Sequence, residues 1–333
     1  MRTLRAGKIQ DIANGLRHMT RRYFCRGVIA AFMSVPVYSF LWAAPQPGNG
    51  KALQIYFVDV EGGQATLFVT PEGKSLLIDT GWPDSQGRDA DRIAAAAKLA
   101  GIKQLDFVLL THYHMDHAGG ITQLAEEIPI RAVIDHGENR EPKEPATEKV
   151  WEDYQKLLAK DKLKRRIAKP GEMLPLEGLE AQVISSDGAL IKKPLSGGGG
   201  RNARCNASEK YPADQTENSR SLGVFVTFGK LRILDLGDLT SDKEVQLVCP
   251  ENRLGKIDIY VVSHHGTASS NSPVFLDSIA PRVAVMDNGA AKGGAPSSWD
   301  AVGSQRCRAF YRKSSRTRHR QLFEVNCMGG RKF

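Results

Sequence analysis

Apolar, β-branched and aromatic residues gather in short runs through the middle of the chain, separated by turn formers. Residues 53–60 (LQIYFVDV), 65–70 (ATLFVT) and 75–79 (SLLID) predict three strands, with Pro71-Glu72-Gly73-Lys74 turning the second into the third. Helical spacing over 89–100 predicts a helix closed by Gly101. A strand over 105–110 runs into a histidine-rich loop. Residues 118–127 read as a helix and 131–134 as a strand. Residues 147–166 predict a charged amphipathic helix with Trp151, Tyr154, Leu157 and Leu158 on one side. Further strands are predicted at 181–184, 222–228, 231–236, 257–262 and 282–286, the second and third of these joined by a hairpin through Gly229-Lys230. Residues 194–204, with four consecutive glycines, read as a flexible loop. Two groups of strands with helices between them imply an α/β protein of packed sheets flanked by helices.

Composition narrows the class. The 333 residues are 41% hydrophobic and 25% charged, enough apolar content for a sizeable core. That excludes global disorder, collagen and a polytopic membrane protein. The net charge of +9 is carried by the ends: residues 1–30 hold seven Lys or Arg against one acid, and residues 301–333 nine against one. The segment 51–300 is mildly acidic, so the basic balance does not point to a nucleic-acid-binding face on the domain itself.

Residues 27–44 are uncharged and mostly apolar, and follow a basic stretch ending Thr20-Arg21-Arg22-Tyr23-Phe24-Cys25-Arg26. This has the layout of an export signal, and the arginine pair resembles the twin-arginine type. Residues 1–44 are therefore expected to be a signal peptide or an N-terminal anchor, making membrane contact only through that segment and placing the protein in the periplasm or outside the cell. Of the five cysteines, none forms a CxxC pair, which argues against a zinc finger. In an exported chain Cys205 and Cys249 could pair; free thiols are the alternative.

Chemistry concentrates in His112-Tyr113-His114-Met115-Asp116-His117, directly after a buried strand. Side chains two apart on an extended segment point the same way, so His112 and His114 can grip one ion. Asp116 and His117, at the start of a helix, can face a second. Mixed imidazole and carboxylate ligands suit Zn, Mn or Fe. Burying three histidines and an aspartate without a cation would be costly.

The HxHxDH motif resembles the signature of the metallo-β-lactamase fold superfamily. Asp59, Asp79-Thr80-Gly81, Leu236-Gly237-Asp238 and Val262-Ser263-His264-His265-Gly266 match further strand ends of that family, over roughly residues 53–290. Glu217-Asn218-Ser219-Arg220-Ser221-Leu222, the hairpin to Gly237-Asp238 and the SHHGTASSNSP run are similar to the hydrolase domain of ComEC-type competence channels. That subgroup lacks the usual third histidine ligand and carries an Asn/Ser segment, so Asn218 and Ser221 are candidates for that corner. Two departures stand out. The subgroup's second acid in its first loop is replaced by Gln64, and its late His-Pro motif by Gly294-Ala295-Pro296.

The resemblance implies a four-layer αββα sandwich over 51–300 and two divalent cations, zinc foremost and manganese as the alternative. It implies His112 and His114 on one ion, Asp116, His117 and His264 (or His265) on the other, and Asp238 bridging. A metal-bridging hydroxide would be the nucleophile. Asp116 and Asp238 would take part in catalysis, and His265 would contact substrate or protonate a leaving group, although only one of His264 and His265 need be a ligand. Asp59 and Asp79 could orient histidine N–H groups. His136 either lines the pocket or makes ordinary hydrogen bonds; Asn288 belongs to the pocket or to a turn; Trp82 stacks on a substrate or packs.

The implied activity is an exported hydrolase of phosphodiesters, small or nucleic-acid, with no obligate protein partner. A β-lactam or lactone hydrolase on the same site and a non-catalytic metal-binding protein are the alternatives. Lys292 and Arg220 near the motifs favour phosphate. Residues 301–333 are Arg-rich without clean periodicity and are expected to be a basic tail: a nucleic-acid-binding arm, a disordered end or the product of a shifted frame.

Overall fold

The computed structural model describes residues 52–83, 86–207, 210–289, 292–298 and 300, and the backbone of two later strands. The expected export segment, 1–44, lies outside the described residues. Among the described residues no helix is long and apolar enough to cross a membrane.

The first half opens with β1 (Ala52–Val58), β2 (Thr66–Val69) and β3 (Ser75–Ile78), antiparallel neighbours whose residues alternate between two buried faces. Helix α1 (Arg88–Leu99) leads to β4 (Phe107–Leu109), then α2 (Met115–Ala118), α3 (Ile121–Glu127) and β5 (Ala132–Asp135). Helix α4 (Pro145–Asp161) begins with a proline, and the Glu144 side chain caps it by accepting the Thr147 N–H. It ends at Lys162, in left-handed conformation. The chain then forms β6 (Lys164–Ile167), where the sequence predicts the helix to continue to residue 166. Arg165 accounts for the difference: its guanidinium donates to both oxygens of the buried Asp135 and to the Gly137 carbonyl, which fixes the segment beside β5.

The second half contains β7 (Glu180–Ser186), β8 (Ala189–Leu190), β9 (Gly200–Arg201), β10 (Gly223–Phe228) and β11 (Leu231–Asp235), then α5 (Ser241–Val248), β12 (Glu251–Asn252), β13 (Ile259–Val261), α6 (Pro273–Ile279) and β14 (Val283–Met286). The glycine-rich stretch is more ordered than expected. Gly200–Arg201 pairs with Glu251–Asn252, and Cys205 is disulfide-bonded to Cys249 beside it. Within the basic tail, β15 (Arg308–Tyr311) and β16 (Leu322–Met328) are strands where no regular pattern was expected.

Two seven-stranded sheets result, β16-β1-β2-β3-β4-β5-β6 and β15-β14-β13-β11-β10-β7-β8. The apolar layer between them takes Ile55, Phe68, Ile78 and Leu109 from one sheet and Val183, Val224, Ile233 and Val261 from the other. On the outer face of the first sheet, Ile93, Leu124 and Tyr154 bring α1, α3 and α4 onto Leu77 and Val108. On the outer face of the second, Leu247, Phe275 and Leu276 bring α5 and α6 onto Leu234 and Tyr260. The order helix–sheet–sheet–helix is the four-layer αββα sandwich that the motifs implied. The loops after β4, β11 and β13 leave the carboxyl ends of their strands, where α/β proteins place their sites.

Candidate metal centre

Thr111-His112 follows β4, and His114 opens α2 in extended conformation. Asp79 closes β3 in left-handed conformation (φ 59°), which short polar side chains tolerate. It accepts the Thr111 N–H and hydroxyl, both at 2.7 Å. Close backbone contacts hold these loops together. The Gln64 N–H donates to the Asp116 carbonyl, and a Cβ on Gly63 would stand 2.3 Å from that oxygen. From the second sheet, Asp238 follows β11, its N–H donating to Ser221 Oγ at 3.2 Å. After β13 the chain makes a turn in which His264 and His265 both have φ near 53°, a conformation costly for residues with a Cβ. The turn is held by His264 N–H to the Gly237 carbonyl and by Gly294 N–H to the His265 carbonyl.

Asp116, His117, Asp238 and His265 are gathered so that their ligand atoms all lie within 4.8 Å of one another. His117 Nε2 stands 3.0 Å from His265 Nε2, and His265 Nε2 stands 3.0 Å from Asp116 Oδ2. Asp238 Oδ1 lies 3.1 Å from His117 Nε2 and 3.4 Å from His265 Nε2, yet is buried without hydrogen-bond geometry to any described residue. Beside them, His112 Nε2 and His114 Nδ1 are 3.1 Å apart, and His112 Nε2 is 3.9 Å from Asp238 Oδ2. Ring nitrogens paired nose to nose, with a bare carboxylate oxygen between them, are a donor set suited to a shared cation rather than to one another. The electrostatics agree. Burial, together with His117 and His114, holds His112 well below the ordinary imidazole range. His117 is held well above it by Asp238, Asp116 and Asp79 despite burial, and His265 is pushed up to about 9, against burial, chiefly by Asp238. The two buried carboxylates thus draw positive charge into the cluster, which a bound cation would supply.

Either of the two adjacent histidines could complete this set, and His265 is the one that does. His265, not His264, joins Asp116, His117 and Asp238, while its Nδ1 donates to the Asp287 carbonyl at 2.7 Å. His264 Nε2 lies 3.6 Å from the other oxygen of Asp238 and 3.5 Å from Asn218 Nδ2, on the His112 side. Asn218 therefore does reach that corner, with its Oδ1 buried and unpartnered among the described residues. Ser221 supports Asp238 from behind.

The remaining candidates separate. Asp79 Oδ2 holds His117 Nδ1. Asp59 Oδ1 accepts the Glu61 N–H in the first loop. His136 bonds to the buried Glu217 at 2.9 Å. Asn288 is buried and donates to the adjacent Gly289 carbonyl, as a turn residue does. The replaced acid has a local reason. Gln64 Nε2 donates to both oxygens of Asp235, at 2.9 and 2.8 Å, and burial already pushes that carboxyl up to about 6. A second acid at position 64 would face it.

Three functional neighbours escaped the sequence reading. Glu141 lies 2.9 Å from His114 Nε2, Glu217 is fully buried behind it, and Asp235 underlies Gln64. Glu217 was in view as part of the Glu217–Leu222 run, where its Asn and Ser neighbours drew the assignment. Lys292 pairs with Asp116 and sits over Trp82, 5.0 Å from the ring centroid, so Trp82 forms part of the mouth of the site.

Residues 58–193 match the metallo-beta-lactamase superfamily. The αββα layers and the donor set agree with that match, so the domain has the metallo-β-lactamase fold and resembles that superfamily. Recombination protein 2 of Haemophilus influenzae is 28% identical over 237 residues, covering 71% of this chain and 24% of its own length. ComE operon protein 3 of Bacillus subtilis is 27% identical over 255 residues, covering 71% of this chain and 28% of its own. The resemblance is thus to the ComEC-type subgroup, and the chain spans about a quarter of the length of these curated relatives. The crystal structure of the metallo-beta-lactamase fold protein YhfI from Bacillus subtilis superposes with a TM-score of 0.47 at 13% identity, covering 77% of this chain and 95% of that one.

Proposed function

We propose that this chain is an exported hydrolase of phosphodiesters that works with two divalent cations, zinc or manganese. Asp116, His117, Asp238 and His265 would hold one cation, and His112, His114 and the second oxygen of Asp238 the other, with His264 and Asn218 alongside. Such cations supply Lewis acidity and lower the pKa of water to about 7, so that hydrolysis proceeds at neutral pH. The protein's part is to keep the donors buried, deprotonated and aligned. Asp79 does this for His117, and the Asp287 carbonyl for His265.

The observation that carries the phosphodiester reading is Lys292. Its ammonium pairs with Asp116 and is half-buried at the edge of the donor cluster, over Trp82. Once Asp116 serves a cation, that ammonium is available to an anionic oxygen of substrate. Export is supported by the Cys205–Cys249 disulfide, since such bonds persist in oxidising compartments. One apolar ring with one cation is also what a β-lactam carboxylate requires, so lactam hydrolysis on the same site is the second reading.

The test is purified protein loaded with Mn or Zn, assayed against bis-p-nitrophenyl phosphate and a chromogenic cephalosporin side by side, with His114→Ala as control. Phosphodiester cleavage abolished in the control is the expected result. Cephalosporin cleavage alone would replace this reading with the second.

A further inference from the structure

His114 has two nitrogens with different tasks. Nδ1 faces His112 Nε2 at 3.1 Å, within the donor cluster, and Nε2 faces Glu141 Oε2 at 2.9 Å. The same Glu141 oxygen accepts the Glu217 N–H at 2.7 Å. Glu217 has no exposed surface, and its carboxylate is fully engaged. Oε2 accepts the Tyr113 N–H at 3.1 Å and His136 Nε2 at 2.9 Å, and Oε1 accepts the Arg140 N–H at 2.6 Å. Tyr113 precedes His114 and Arg140 precedes Glu141. Each backbone arm of Glu217 therefore ends on the residue beside one partner of the His114–Glu141 bond, or on Glu141 itself.

We propose that Glu141 is the positioning residue of His114, accepting its Nε2–H so that the Nδ1 lone pair is delivered to the cation site, and that buried Glu217 holds Glu141 in that pose. A carboxylate can only accept, so the proton is fixed on Nε2 and the tautomer is set. The turn at Glu217–Arg220 occupies the place where the resemblance led us to seek a substitute for the third histidine. Its first residue clamps the orienting carboxylate from outside the cluster, and Asn218 alone points inward. Carboxylates behind metal-bound histidines are worth about 10–100-fold in metal affinity. The inference rests on the metal reading for that consequence, but the tautomer can be read without metal.

The experiment has two arms on the full chain. In metal-free protein, imidazole ¹⁵N NMR is expected to show His114 protonated at Nε2 in the wild type, and a mixture of tautomers in Glu141→Ala. In chelator competition with Zn, Glu141→Ala is expected to weaken one of two ions about 10–100-fold and leave the other unchanged, and His114→Ala is expected to weaken the same ion. Glu141→Gln keeps an acceptor oxygen. It is expected to restore the tautomer and most of the affinity, which loss of packing alone would not allow. Wild-type nitrogen shifts and wild-type affinities in Glu141→Ala would overturn the inference. A wild-type protein that shows the fixed tautomer but takes up no Zn would overturn the metal reading while leaving the positioning bond in place.

Discussion

Asp79 Oδ2 and His117 Nδ1 stand 2.7 Å apart, and both side chains are fully buried. The bond turns His117 Nε2 toward Asp116, Asp238 and His265. Asp79→Asn tolerates the same left-handed backbone but presents an amide whose N–H cannot accept from Nδ1. Metal affinity is expected to fall about 10–100-fold, measured by chelator competition. Unchanged affinity would show that Asp79 serves only Thr111.

Gly63 has no room for a side chain, because the Asp116 carbonyl would lie 2.3 Å from its Cβ. Gly63→Ala must push apart the first loop and α2. Overpacking of this kind costs about 1–3 kcal/mol, and here it also displaces Asp116. A lowered denaturation midpoint together with weakened metal binding is expected. A normal midpoint with full metal uptake would mean that the loop is free to move.

Glu244 gives the fold a pH dependence. It is buried on α5, accepts the N–H groups of Asn271 and Ser272 at 3.0 and 3.1 Å, and is pushed up to about 7 by burial. Between its ordinary value of 4.5 and about 7, the folded chain keeps a proton that the unfolded chain gives up. Its contribution to stability is therefore full below pH 4.5 and declines as pH rises to 7, by about 3 kcal/mol. Urea midpoints from pH 4.5 to 7.5 are expected to fall more steeply in the wild type than in Glu244→Gln. Parallel curves would refute the assignment.

Cys205 and Cys249 close a loop of sequence separation 44 that includes Asn218 and Asp238. Its loss in a Cys205→Ser, Cys249→Ser double variant is expected to cost about 2–5 kcal/mol, read as a lower melting temperature that dithiothreitol also produces in the wild type. A melting temperature insensitive to dithiothreitol would contradict this.

Lys292→Met is expected to raise KM for an anionic diester about tenfold or more while kcat changes little, because hydrogen bonds to charged groups are worth about 1.5–3 kcal/mol and the contact is made before and during reaction alike. A fall in kcat at constant KM would instead place Lys292 at the leaving group.

The sequence was most legible where one face or one motif decides. Short runs of β-branched and aromatic residues marked β1 to β3, the Gly229-Lys230 turn marked the β10–β11 hairpin, and the ligand types in HxHxDH brought out His112 to His117. Helices α5 and α6 went unread because both are short and supported mainly by packing on the second sheet. In β6, Lys164-Arg165-Arg166 reads as solvated helix until the distant Asp135 is known. In β16 the alternation Phe323-Glu324-Val325-Asn326-Cys327 was present, obscured by the Arg-rich residues before it. The choice between His264 and His265 depends on a left-handed turn that no residue spacing encodes. Glu141 and Glu217 depend on contacts between residues 76 and 104 positions apart along the chain.

The donors are split between the two sheets. His112, His114, Asp116 and His117 leave the first, and Asp238, His264 and His265 leave the second. A cation seated among them would act as a rivet through the sandwich. By reciprocity, whatever loosens the seam between the sheets must weaken the cation's grip, and the bound cation must resist prying by the same amount. Pulling the two halves apart with and without metal would then weigh the ion mechanically.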